Sequence, residues 1–155
     1  MRGKIAGVFR GRARNNRGPS SWMKELKSVG RAYWPGVVSL VWIISICAVC
    51  YFSLMPPLEF PLDFWNADKL YHFAAYGWLA VLPMVGFRNR KAAMPASLSM
   101  MILGILLEIG QYYIPGRAFS YIDMSANGLG VLVGAALGNS ARPRLKNLLL
   151  PPEGG

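Results

Sequence analysis

Residues Val37 to Met55 (VVSLVWIISICAVCYFSLM) run for 19 positions without a charge, and no other feature constrains the chain as much. A helix needs about 20 mainly apolar residues to cross a hydrocarbon core of about 30 Å. With no water there to bond to, the backbone of a lone segment must satisfy itself, and only a helix does so. The run is longer than the apolar stretch of a signal peptide. It follows a long basic segment, and no small-residue cleavage pattern comes after it, so it reads as an anchor.

Three weaker stretches follow. Leu70 to Phe87 is apolar apart from His72, Ala92 to Ile114 carries one acid, Glu108, and Tyr121 to Leu137 contains Asp123 and Asn127. In the last, Gly130, Gly134 and Gly138 recur every fourth position, which lets another helix backbone come close. That packing is expected within the chain rather than between copies. Pro56-Pro57, Arg88 to Lys91, Pro115-Gly116 and Pro143 are read as the breaks between and after the spans. The expected fold is an all-α integral membrane protein, a bundle of four transmembrane helices over residues 35–140. A basic arm over 1–34, with disorder as its default, precedes the bundle, and a short basic tail over 141–155 follows it.

Composition supports this reading. Apolar residues make up 54% of the chain and charged residues 15%, too few to clothe an ordinary soluble surface. Nine of the 17 Lys and Arg lie within the first 31 residues, against one acid, Glu25. A net charge of +10 would suit nucleic acid if it formed a folded basic face. Here it borders apolar runs, so anionic lipid headgroups are the expected partner of the arm and nucleic acid is not. Cys47 and Cys50 form a C-x-x-C pair without a second pair, and a zinc site needs about four ligands, so both read as small packing residues.

Lys and Arg near spans are retained in the cytoplasm. Fifteen lie in the arm, the 88–91 connection and the tail, against Lys69 and Arg117 in the other two connections. The expectation is therefore N-in, C-in. An ionisable residue at a helix centre costs roughly 2.5–3.5 kcal/mol on insertion scales, so each one asks for a reason. Asp68, Lys69 and His72 begin span two, Glu108 and Gln111 end span three, Arg117 follows it, and Asp123 and Asn127 begin span four. Alternating passage puts all of them on one side of the membrane. Asp68 and His72 share a helix face, as do Asp123 and Asn127, with Glu108 and Gln111 neighbours at a spacing of three. Glu108 lies about 10 Å below Pro115 at the helical rise. These residues are expected to line an outward cavity roofed by residues 115–122.

At these positions the chain resembles the VanZ-like family, named for a membrane protein associated with teicoplanin resistance. The matching elements are Asp68-Lys69-Leu-Tyr-His72-Phe73, Glu108-Ile-Gly-Gln111, Pro115-Gly116-Arg117 and Asp123-Met-Ser-Ala-Asn127-Gly-Leu-Gly130, in order across residues 56–138. The resemblance implies a multi-pass protein of the bacterial cytoplasmic (inner) membrane. It links the chain to cell-wall or surface-polysaccharide chemistry, glycopeptide resistance included, and names no reaction.

Three functions fit. In an enzyme acting on a lipid-linked or envelope glycan substrate, Arg117 and Lys69 would hold an anionic group, Arg with its bidentate fork. His72 oriented by Asp68 would act as general base and Glu108 as general acid, with Gln111, Asp123 and Asn127 contributing to binding. In a non-catalytic scaffold or binder the same polar residues hold the helices together, each bond worth about 0.6 kcal/mol. A small transporter fits least, because transport sites typically sit near the midplane and these residues lie off it. No cofactor is expected. A divalent ion held by His72, Glu108 and Asp123 is the minor alternative to a metal-free site.

Overall fold

The computed structural model of the chain describes residues 21–56 and 67–149. The arm before residue 21, the segment containing Glu59 and Asp63, and the Pro151-Pro152 tail lie outside them. Four α-helices and no strand occur among the described residues: α1 (Ser21–Leu54), α2 (Ala67–Gly86), α3 (Arg90–Gln111) and α4 (Tyr121–Leu149). The all-helical expectation holds. Of these helices, α1 over Ser28–Leu54 and α3 are long and apolar enough by themselves to cross a membrane.

Boundaries differ from the sequence reading in informative ways. Helix α1 begins 16 residues before Val37, at Ser21, so residues 21–34 are not the disordered arm that was expected. Lys24, Glu25, Leu26 and Lys27 are good helix formers, and the apolar run supplies a nucleus that the helix extends backwards. Pro143 does not follow α4; it lies inside it. Pro35 and Pro83 are likewise interior to α1 and α2. A proline withholds its N–H from the carbonyl four residues back, and in α2 that carbonyl belongs to Leu79. The indole Nε1 of Trp42 donates to it at 2.9 Å, so the lost backbone bond is replaced from α1.

Beside its hydrophobic core the bundle buries an unusual set of polar side chains and exposes large apolar ones. Ser97, Glu108, Gln111, Asp123 and Asn127 are buried, while Leu40, Ile43, Ile44, Leu98, Ile102 and Leu106 lie exposed on the outer faces of α1 and α3. Large contiguous apolar surface on a protein marks contact with membrane or partner. The two sufficiently apolar helices, α1 and α3, are candidate membrane spans.

The interior is organised by α4 against α2. On α4 the buried positions Asp123, Asn127, Gly130, Val131, Gly134, Ala135 and Gly138 repeat at helical spacing. The glycine stripe faces α2: a Cβ on Gly134 would fall on the Gly77 carbonyl, one on Gly130 on the Phe73 carbonyl, and one on Gly138 would meet Met84 Cβ at 2.6 Å. Backbone meets backbone there, as expected for packing within the chain. Around this seam Tyr76, Leu79, Ala80, Met100 and Val131 form the main buried cluster.

Two helix ends are closed by side chains from later in the sequence. Arg142 of α4 donates to the carbonyls of Met84 at 2.9 Å, Phe87 at 2.6 Å and Arg88 at 2.8 Å, at the C-terminal end of α2, where helical carbonyls have no partner of their own. Trp34 donates to Val85 O at 3.2 Å in the same region. At the opposite end of the bundle, Gln111 and Arg117 perform the same service for α1. Cys47 and Cys50 are unpaired, the first exposed and the second half-buried.

Candidate functional site

The start of α2, the end of α3 and the start of α4 meet at one end of the bundle, and each arrives there by local means. Gly116, at φ 82°, occupies a backbone region that favours glycine and turns the chain after α3. Ser120 then stands before α4, its Oγ accepting from the Asp123 N–H at 3.2 Å, the usual work of an N-cap serine. Its own N–H donates to Glu108 Oε1 at 3.0 Å. One serine thus fixes the start of α4 and fastens it to the buried acid of α3.

Asp68 and His72 are one turn apart on α2, with His72 Nε2 3.7 Å from Asp68 Oδ1. His72 Nδ1 lies 3.0 Å from Asn127 Oδ1 on α4. With the amide oriented this way, Nδ1 carries the hydrogen and donates to the oxygen. Lys69 Nζ stands 3.5 Å from Asp123 Oδ1 and 3.9 Å from Asp68 Oδ2. The Asp68 carboxylate is largely exposed and that of Asp123 is enclosed, 63% against 11% of the side chain accessible. Asp123 Oδ1 is buried and makes no hydrogen bond among the described residues.

The residues singled out from sequence therefore divide into two groups. Asp68, Lys69, His72, Asp123 and Asn127 form a connected cluster across α2 and α4, with Glu108 tied to it through Ser120. Gln111 and Arg117 turn instead toward α1. Gln111 Nε2 donates to Ser53 O at 3.1 Å, Arg117 Nε to Met55 O at 2.7 Å, and Arg117 Nη2 to Phe52 O at 3.1 Å. The Arg117 fork that the sequence offered to a substrate anion is engaged on helix-end carbonyls, which carry partial negative charge. Ser120 is not among the residues singled out from sequence, and its role as a joint between α3 and α4 emerges in the structure. The capping pattern Ser-x-x-Asp before an apolar run was the signal that pointed to it.

Between α1, α2 and α3 lies a part-open cleft of about 500 Å³. Ala48, Val49, Phe52 and Ala75 belong to its apolar wall, and Asp68, His72, Gln111 and Arg117 reach it. Neither the cleft nor α1's part in it was evident from the order of residues, because the α1 side chains that line it are apolar apart from Ser53.

No curated protein and no solved structure matches the chain. A profile of the VanZ/LLP1 family matches residues 18–142, a longer reach than the 56–138 of the sequence resemblance, and one that takes in α1 with its side of the cleft. The chain belongs to the VanZ/LLP1 family.

Proposed function

We propose that this protein spans the bacterial cytoplasmic membrane four times, with both ends in the cytoplasm, and binds an amphiphilic, lipid-linked envelope substrate at the outward-facing end. The observation that carries the proposal is the cleft: about 500 Å³, apolar along its walls and polar where Asp68, His72, Gln111 and Arg117 meet it. Ligand pockets of about 300–1,000 Å³ with a few placed polar groups are typical of small-molecule sites. This one combines an apolar bed suited to an acyl or prenyl chain with a carboxylate and an imidazole, Asp68 and His72, placed for its head. Lys and Arg counts support the orientation.

His72 is the residue placed for chemistry. Asn127 holds its Nδ1, which leaves Nε2, turned toward Asp68, as the ring nitrogen open to a proton or a cation. Glu108 is fastened to the Ser120 N–H and is the acid nearest in role to a general acid. Lys69, paired with Asp68 and Asp123 and a third exposed, is the cation that could swing toward an anionic group, since Arg117 is engaged on α1.

Native mass spectrometry of the full chain in mild detergent tests the binding. The wild type is expected to carry a co-purifying amphiphile, and Ala75→Trp, which fills the cleft, to have lost it. Equal lipid content in both proteins would count against the proposal. The topology has its own check: single cysteines at positions 69 and 117 are expected to react with an impermeant thiol reagent from outside the cell. Labelling from opposite compartments would remove the outward site.

A further inference from the structure

We propose that Asp68, His72 and Asp123 form a binding site for a divalent transition-metal ion such as Zn²⁺ or Mn²⁺. Three observations lead there. The first is placement. One ligand atom from each of the three residues lies within 4.8 Å of the other two, and an imidazole with two carboxylates is a donor set that both ions accept. Ligands about 2.1 Å from a zinc ion stand about 3.4 Å apart at a tetrahedral angle. Closing from 4.8 Å therefore takes an adjustment of about an ångström, which the exposed Asp68 side chain can make.

The second is the histidine's other nitrogen. Histidines that bind metals donate their second ring N–H to an acceptor, which fixes the tautomer and the ring. His72 Nδ1 is so held by Asn127 Oδ1 at 3.0 Å. Neutral in that tautomer, the ring presents the Nε2 lone pair to Asp68 Oδ1 at 3.7 Å. A lone pair facing a carboxylate oxygen is repulsive until a cation stands between them.

The third is the buried oxygen Asp123 Oδ1, which has no hydrogen bond among the described residues in an aspartate that is 7% exposed. Buried carboxylate oxygens without donors are costly; the Lys69 ammonium stands 3.5 Å away without a hydrogen bond, and a metal bond would supply a closer partner. First-turn placement in α4 gives Asp123 favourable dipole energy but leaves Oδ1 unbonded. Glu108 is not the second carboxylate, because it is not among the residues whose ligand atoms come within 4.8 Å of one another.

Lys69 is the competitor. Its ammonium lies 3.5 Å from Asp123 Oδ1 and 3.9 Å from Asp68 Oδ2, with a third of its side chain exposed. It occupies the cation's ground and has room to swing outward. Two carboxylates and a divalent ion are neutral together once the lysine has left. Three protein ligands also leave a coordination position open, the arrangement of catalytic rather than structural sites. There the ion would polarise a phosphate or carbonyl oxygen of a bound molecule.

The measurement is metal content alone, so it stands or falls separately from the amphiphile. Untagged full-length protein in detergent is dialysed against Zn²⁺ or Mn²⁺ and its bound metal determined. About one equivalent of either ion is expected in the wild type. His72→Ala and Asp123→Asn are each expected to lower affinity by about 100-fold or more, and Asn127→Ala by about 10- to 100-fold, in the range of outer-shell changes. Lys69→Gln should bind about tenfold more tightly, because a competing positive charge is gone. Unfolding temperatures measured without metal separate lost ligands from lost folding. Less than a tenth of an equivalent in the wild type, equal binding by His72→Ala and Asp123→Asn, or weaker binding in Lys69→Gln would each overturn the site.

Discussion

Helix α2 has two sides, and they are built on opposite principles. Toward α4 it meets a seam with almost no side chains, where Gly77 lies against Gly130 and Gly134 and the backbones touch. Toward α1 and α3 it borders a cleft of about 500 Å³, where Gln111 and Arg117 reach the end of α1; outside the cleft Trp42 joins α1 to Leu79 O. Close backbone approach is a main source of cohesion between helices in lipid, and this seam is the most extensive helix pairing among the described residues. The cleft can stay open because the seam does not depend on it. His72 stands where the two meet, bonded to Asn127 across the seam and lining the cleft. The lesson is that rigidity and vacancy are adjacent here: a ligand in the cleft would meet a histidine whose position is fixed by the tightest contact in the fold.

Breaking the seam should have the largest effect. In Gly134→Val the new side chain would fall on the Gly77 carbonyl, and the helices must separate, costing about 3 kcal/mol or more. Loss of folded protein from the membrane fraction is the expected result, read by detergent-resistant fluorescence size exclusion. Normal accumulation would mean that the seam is not the source of cohesion. Next comes the junction. Asn127→Ala removes the acceptor of His72 Nδ1 and leaves a half-buried donor unpaired, worth about 1–2 kcal/mol. Asn127→Asp, which keeps an oxygen there, should recover most of the thermal stability, and no difference between the two variants would argue against the hydrogen bond.

Cleft substitutions should lie lower on the stability scale. Ala75→Trp, placed in open space, should shift stability by less than about 1 kcal/mol while emptying the cleft of lipid; unfolding as severe as that of Gly134→Val would contradict the division. Smallest of all is Ser125→Ala. Its hydroxyl bonds only to Tyr121 O in its own helix on an exposed face, and a change within about 0.5 kcal/mol is expected. A larger loss would reveal an interaction of that face with another molecule.

The two arginines belong to the same comparison. Arg142 closes α2 with three carbonyls and Arg117 closes α1 with two, yet only Arg117 looked like a functional residue, because it stood among acids in the sequence. Order along the chain shows which residues are polar, and bonding shows which of them are already occupied. Subtracting the capping residues leaves Asp68, Lys69, His72, Asp123 and Asn127, with Glu108 behind them, as a cluster whose polar groups meet one another rather than helix-end carbonyls.

From the sequence alone, the all-helical class followed from the length of uncharged runs, and the meeting of Asp68, His72, Glu108, Asp123 and Asn127 at one end followed from the number of helices between them. The glycine seam was visible as a spacing of four. These are properties of periodicity and parity, which a linear chain records directly. Tertiary structure alone decided that Asp68 rather than Glu108 stands with His72 and Asp123, that Gln111 and Arg117 serve α1, that Trp42 replaces the bond Pro83 cannot make, and that a cleft lies between α1, α2 and α3. Each depends on how helices rotate about their own axes and which carbonyls lack partners, and those are settled only when all four pack together.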